Sequence, residues 1–290
     1  MGRPRHPRRD HDRGPARRSA APVKPLRSLL PAVAAAGLLA GGAEARPLRA
    51  MGLDQCADQY LLALRPDADL ALSPRADDAD ARLRRATEGR RRVRPTLEAA
   101  VAFHPDVVVR YWGGEPRLLR RLEAEGVRVA TIGDAADFAG VRRNIRSVAA
   151  ALEVPARGER LIARMDARLA EAAPARAADR PSALYLTAGG FTAGKGTLVD
   201  AVLAAAGLAN AAVRPFFQPV SVERIALAPP ARFVLGFFDQ ARADRRGPGR
   251  HPVVRRAAAG RVVADLPAAV LTCPAWFAAD AAVLLAEGRR

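Results

Sequence analysis

The sequence predicts an α/β protein of two lobes, each a small parallel sheet flanked by helices, joined by a long spanning helix. Three observations predict it. Short apolar runs of strand type alternate with helical patterns through residues 46–137 and again through 175–290. One sequence pattern occurs in both halves. Between them, residues 138–174 read as helix and hold no strand candidate.

The elements follow in order. Residues 1–45 read as an export signal. They carry nine basic and three acidic side chains, then the apolar run SLLPAVAAAGLLAGGA, then Ala43-Glu44-Ala45 as a small-x-small cleavage site. A membrane anchor is the other reading, but the run is short and interrupted by proline and glycine. RPLRAMGL (46–53) is a strand-like opening followed by a polar turn and an apolar helix. TLEAAVAFHPDVVVRYWG (96–113) holds a hydroxyl residue, an apolar one and Glu98. Pro105 follows seven residues later, then VVV, then aromatics. This reads as a short helix, a proline-marked stop and a buried strand. VRVATIG (127–133) supplies a late strand.

The linker FAGVRRNIRSVAAALEVPARGERLIARMDARLAEAA is rich in alanine and arginine, and Pro155 should interrupt or start a helix there. The second half opens with SALYLTA (182–188). SVERIALAPPARFVLGFF (221–238) then repeats the earlier pattern, with Glu223 in the place of Glu98 and Pro230 in the place of Pro105. RVVADLP (261–267) is its late strand. Each half therefore reads strand, helix, strand, helix, strand. Two independent helix starts, each with an acid complementing the dipole, would explain both glutamates.

The net charge is +17, almost all from arginine, since Lys24 and Lys195 are the two lysines. Such a charge raises nucleic acid as a partner. Beyond residue 45 the balance is +11, and the arginines interleave with Asp and Glu along helical runs. That distribution reads as a basic solvated surface and argues against nucleic-acid binding. Cys56 and Cys273 stand far apart in sequence; an oxidising compartment would permit a bridge, but spacing alone does not establish one. No CxxC or Cys/His cluster suggests zinc.

TAGGFTAGKGT (187–197) lies between a strand-like and a helix-like run, as a phosphate-binding loop does. Gly189-x4-Gly194-Lys195 is followed by Gly196, where the motif needs Ser or Thr to hold magnesium. The nucleotide reading therefore fails on the motif itself.

The run LRAMGLDQCADQYLLAL, the YWGGE segment, the helical linker, GGFTAGKGTLVDAVLAAAGLANA and SVERIALAPPARFVL together resemble the periplasmic substrate-binding proteins of ABC importers for ferric siderophores, haem and cobalamin. The resemblance spans the whole chain after residue 45. It implies a ligand cleft between the lobes, with the metal arriving inside the cargo chelate and no resident cofactor. It implies a monomer in the periplasm that docks on a dimeric permease of the inner membrane through Glu98 and Glu223. Ligand contacts are then expected from Tyr111 and Trp112 after the VVV strand, Phe191 and Lys195 in the glycine loop, Trp276 before the last helix, and Arg75 in LSPRADD. Phe216 and Phe217 are weaker candidates, and core packing is the ordinary alternative for every aromatic. YWGGE with its leucine-rich helix is similar to the cobalamin binders; LDQCADQ is seen more widely among iron-complex binders.

His104 is expected to pack or cap, and His251 to lie in a surface loop, so neither is offered as an axial ligand. No GxSxG elbow or paired nucleophile and base appears. A binding protein is therefore expected rather than an enzyme, with an exported chelatase-like protein acting on a tetrapyrrole as the alternative.

Overall fold

The computed structural model describes residues 46–173, 180–212, 214–240 and 245–288. The expected signal at 1–45 and the 174/175 boundary lie outside them. Among the described residues no helix is long and apolar enough to cross a membrane.

The first lobe runs β1 (Arg49–Gly52), α1 (Gln55–Leu64), β2 (Asp69–Leu72), β3 (Arg91–Arg92), α2 (Leu97–Phe103), β4 (Val107–Arg110), α3 (Pro116–Ala124) and β5 (Arg128–Thr131). Its sheet is wholly parallel, in the order β3-β2-β1-β4-β5. Ala50 lies opposite Val107 and Met51 opposite Val108, so the central strands are buried on both faces. That burial explains why they read as unbroken apolar runs.

The linker is two helices, α4 (Phe138–Ala151) and α5 (Pro155–Ala172). The expected single segment is broken where Glu153 takes a left-handed φ of 61° and Pro155 opens α5. Proline has no N–H to continue α4 but suits the first turn of a new helix. The two helices pack against each other, and an Arg142–Asp166 ion pair of 2.5 Å joins them.

The second lobe runs β6 (Ser182–Thr187), β7 (Phe191–Ala193), α6 (Leu198–Ala205), β8 (Ala209–Asn210), β9 (Phe217–Pro219), α7 (Val222–Leu227), β10 (Phe233–Gly236), α8 (Pro252–Ala258), β11 (Val262–Leu266) and α9 (Ala278–Gly288). The order β11-β10-β6-β8 is again parallel. If β6, β8, β10 and β11 are matched to β1, β2, β4 and β5, the two sheets share one topology. The strands missed by pattern are β2 and the short ladders β3 and β8. The glycine segment departs further from its loop reading. Its β7 pairs antiparallel with β9, which places Thr192 opposite Gln218.

One core runs through both lobes and the linker, including Tyr60, Ile145, Met165, Tyr185 and Phe277. Smaller clusters around Phe103 and around Phe233 fill the other faces of the two sheets. Helix α1 is buried along almost its whole surface because the second lobe covers it. Cys56 and Cys273 form a disulfide there, with Cα atoms 5.5 Å apart. The Tyr60 hydroxyl donates to the Pro274 carbonyl at 2.8 Å. Asp280 on α9 accepts from Arg82 of the first lobe at 2.9 Å and from Arg168 of α5 at 3.0 Å.

Candidate functional site

In a parallel sheet, loops after neighbouring strands diverge at the point where the strand order reverses, and ligands bind there. Here that point falls after β1 and β4 in one lobe, and after β6 and β10 in the other. The loop after β4 is built on one carboxylate. Asp54 caps α1, its Oδ1 accepting from the N–H groups of Cys56 and Ala57, both at 3.0 Å. Its Oδ2 accepts from Tyr111, Trp112 and Gly113 at 2.6, 3.1 and 2.9 Å. Asp54 is buried, so five backbone donors converge on one water-excluded anion, an arrangement of charge-assisted hydrogen bonds that holds the loop in one shape. An aspartate before an apolar helix signals the cap. The three donors from 57–59 residues away leave no local signal.

A cleft of 590 Å3 is walled by Tyr111, Asp134 and Ala135 of the first lobe and by Tyr185, Phe216, Phe217, Phe237 and Cys273 of the second. The Tyr111 hydroxyl donates to Asp134 at 2.7 Å. Burial, then the hydrogen bond and charge of Asp134, push its phenol above the ordinary range. Tyr185 is buried, its hydroxyl has no hydrogen-bond partner among the described residues, and burial raises its pKa as well. Phe216 and Phe217 are each 65% exposed. Phe216 and Phe237 have φ of 59° and 61°, a left-handed conformation that is strained for bulky residues.

The glycine segment explains how Phe216 is held. A Cβ on Gly194 would stand 1.8 Å from the Arg214 carbonyl oxygen. That close approach lets Gly194 donate to Phe216 O at 2.9 Å while Phe216 donates to Lys195 O at 3.0 Å. Gly196, at φ 80°, faces the Phe216 ring. The segment's glycines thus admit a neighbouring stretch of the same chain.

Of the residues expected from sequence, Tyr111 and the weaker candidates Phe216 and Phe217 line this cleft. Trp112, Arg75, Phe191, Lys195 and Trp276 lie outside its wall. Trp112 is 54% exposed with the Arg75 guanidinium 5.8 Å from its ring centre, and Arg75 also pairs with Asp78 at 2.7 Å. Phe191 opens β7 and is 47% exposed, and Lys195 is exposed. Trp276 packs edge-on against Tyr60 and Phe277. Sequence reasoning missed Asp54, Asp134, Tyr185 and Phe237.

Glu98 and Glu223 occupy matching places, each second in its helix behind a hydroxyl cap. Thr96 accepts from Ala99 N–H at 3.3 Å, and Ser221 from Arg224 N–H at 3.1 Å. Both carboxylates are fully exposed and held below their ordinary pKa. The backbone N–H and then the Thr96 hydroxyl do this for Glu98, and the Ser221 hydroxyl and then the backbone N–H for Glu223. Exposed apolar side chains flank them, Leu97 and Val101 on α2 and Leu227, 87% exposed, on α7. His104 ends α2 in a left-handed conformation, and His251 lies in the exposed turn before α8 and also caps that helix, its Nδ1 accepting from Val253 N–H at 3.2 Å.

A family model described as a periplasmic binding protein matches residues 61–235. The chain belongs to the periplasmic binding protein family. Solved structures share the fold. The periplasmic heme-binding protein RhuT from Roseiflexus sp. RS-1 aligns at a TM-score of 0.63 and 24% identity, over 84% of this chain and all of the other. A possible iron-binding solute-binding protein from Staphylococcus epidermidis aligns at 0.65 and 15%, over 84% of this chain and 99% of its own. The heme-binding protein HutB of Vibrio cholerae aligns at 0.62 and 15%, over 81% and 96%. No curated protein matches the chain. Periplasmic binding proteins of this type are the substrate-binding components of ABC importers, not enzymes, and nothing in these likenesses favours the chelatase alternative.

Proposed function

We propose that the chain carries a metal chelate, a ferric siderophore or a cobalamin-type corrinoid, to an ABC permease in the inner membrane. The observation that carries this reading is the 590 Å3 cleft with phenyl rings on one wall and a pinned tyrosine on the other. Its size and apolar lining suit a flat or globular, partly apolar ligand, with a few polar groups to fix orientation. Among the described cleft residues there is no histidine, and Cys273 is committed to its disulfide. Tyr111 donates its proton to Asp134, which favours the neutral phenol over a phenolate ligand. A cargo whose metal is already coordinated fits this donor set best. Trp112, Arg75, Phe191 and Lys195, outside the cavity wall, would extend contact with a larger chelate, and Trp276 would report on the cleft floor.

Glu98 and Glu223, exposed at equivalent places on two topologically matched lobes, suit a partner that presents the same subunit twice. Residues 1–45 would direct export, and the carrier would act as a monomer.

The test is tryptophan fluorescence of the purified protein, titrated with cobalamin, cobinamide, ferric hydroxamates, ferric catecholates and haem, corrected for ligand absorbance. Saturable quenching by one class names the cargo; a folded protein that answers to none of them refutes the reading. Glu98→Ala with Glu223→Ala should leave that titration and the melting temperature unchanged while uptake falls. Loss of ligand binding in that double variant would remove the docking role.

A further inference from the structure

The second lobe holds a cavity of 480 Å3 that is separate from the cleft. Leu184 lines this cavity while Tyr185, the next residue of β6, lines the cleft. Successive strand residues point to opposite faces, so the two spaces lie on opposite sides of the sheet. We propose that this cavity is a second binding site, selective for an amphipathic organic anion: a carboxylate or sulfonate with a short apolar body.

The floor is apolar, formed by Leu184, Ala212, Val220 and Ile225. Arg214 and Arg224 stand in the wall, both exposed residues, and neither guanidinium makes an ion pair or hydrogen bond among the described residues. Among the described residues no Asp or Glu lines the cavity. Two unmatched guanidiniums above an apolar floor make a site complementary to a charged head on an apolar tail.

A third polar group in the same wall also lacks a partner among the described residues. Thr192 is 3% exposed and its hydroxyl is buried with no hydrogen bond, a condition that carries a desolvation cost. The frame is already fixed. Gln218 Nε2 donates to Arg214 O at 2.7 Å, and the Ser221 hydroxyl accepts from Arg224 N–H at 3.1 Å. A merely solvated arginine rim would attract any organic anion weakly and without saturation, and the built cavity should bind one with an apolar body saturably.

Calorimetric titration of the purified protein with octanoate, against octanol, reads this directly. Octanoate should bind saturably and octanol at least about tenfold more weakly. Arg214→Gln with Arg224→Gln should abolish that preference, while the Arg→Lys pair retains part of it. Should the glutamine pair fold poorly, Ala228→Phe, which fills the rim, should block octanoate with both arginines in place. Equal affinity for octanoate and octanol, no saturable binding, or loss on Phe217→Ala with none on the arginine changes would each overturn the proposal. The chelate titration is separate, so failure here leaves the cleft reading standing, and the reverse holds.

Discussion

The two lobes share a sheet topology and a short capped helix with an exposed glutamate, yet they build their halves of the cleft in different ways. In the first lobe a buried anion does the positioning, Asp54 gathering five N–H groups and so fixing Tyr111. In the second lobe backbone conformation does it. An antiparallel pair, β7 and β9, is inserted between strands of the repeat and holds Phe216 at positive φ. The helices after the opening strands diverge in the same way. Asp58 on α1 is buried and accepts from Ser73 beyond β2, through N–H at 3.0 Å and hydroxyl at 2.6 Å. Asp200 on α6 is half-buried and accepts from Asn210 in β8 at 2.9 Å. A repeated frame therefore tolerates unlike solutions at its ligand edge, since the frame depends on apolar burial and the edge on particular polar contacts.

That contrast can be broken at several points, in decreasing order of effect. Asp54→Ala leaves five backbone donors, three of them buried, without their acceptor and should cost about 3 kcal/mol in denaturant unfolding, with cargo binding lost; no counterpart in the second lobe should be as damaging. Replacing Cys56 and Cys273 together by serine frees the two lobes and should cost roughly 2–5 kcal/mol, read from the same titration and reproduced by reductant on the parent.

The pH response should map to the first lobe. Burial pushes the Asp58 carboxyl up to about 7 from an ordinary 3.8, against the opposing Ser73 hydrogen bonds. Because the folded value lies above the unfolded one, its contribution to stability is full below about 3.8 and is lost as pH rises through about 7. Asp58→Asn should therefore gain on the parent in melting temperature as pH rises from about 4 to about 7, the window between those two values. A parent whose melting temperature rises across that window with the same slope as the variant would contradict the assignment. The smallest effect belongs to the second lobe's strain. Phe216→Gly and Phe216→Ala both remove the ring and should weaken cargo binding alike, but Gly should be more stable than Ala by about 1 kcal/mol.

Legibility followed the same division. The frame was readable because β1, β4, β6 and β10 are buried on both faces and appear as apolar runs, and because Thr96-Leu97-Glu98 and Ser221-Val222-Glu223 repeat one helix start. The edge was far less so. Two-residue ladders such as β3 and β8 are too short to show a period. The β7–β9 pairing joins Phe191 to Pro219 across a stretch that reads as glycine loop, helix and loop. Asp54 looks like an ordinary cap until the loop after β4 folds onto it. Trp112 and Arg75 were expected in the same place for different reasons, and their cation–π contact is a relation that neither residue announces alone.

The fastening of α1 also sets an order of events. Cys56, Tyr60 and Arg82 all find their partners in the segment that ends with α9, through Cys273, Pro274 and Asp280. The cover over α1 thus stays incomplete until the segment of Cys273, 217 residues after Cys56, has been delivered. If residues 1–45 direct export as proposed, residues 273–280 would cross the membrane long after the first lobe, and the clasp would close late. Closing of the Cys56–Cys273 bridge would then coincide with the oxidising compartment that the proposed export implies.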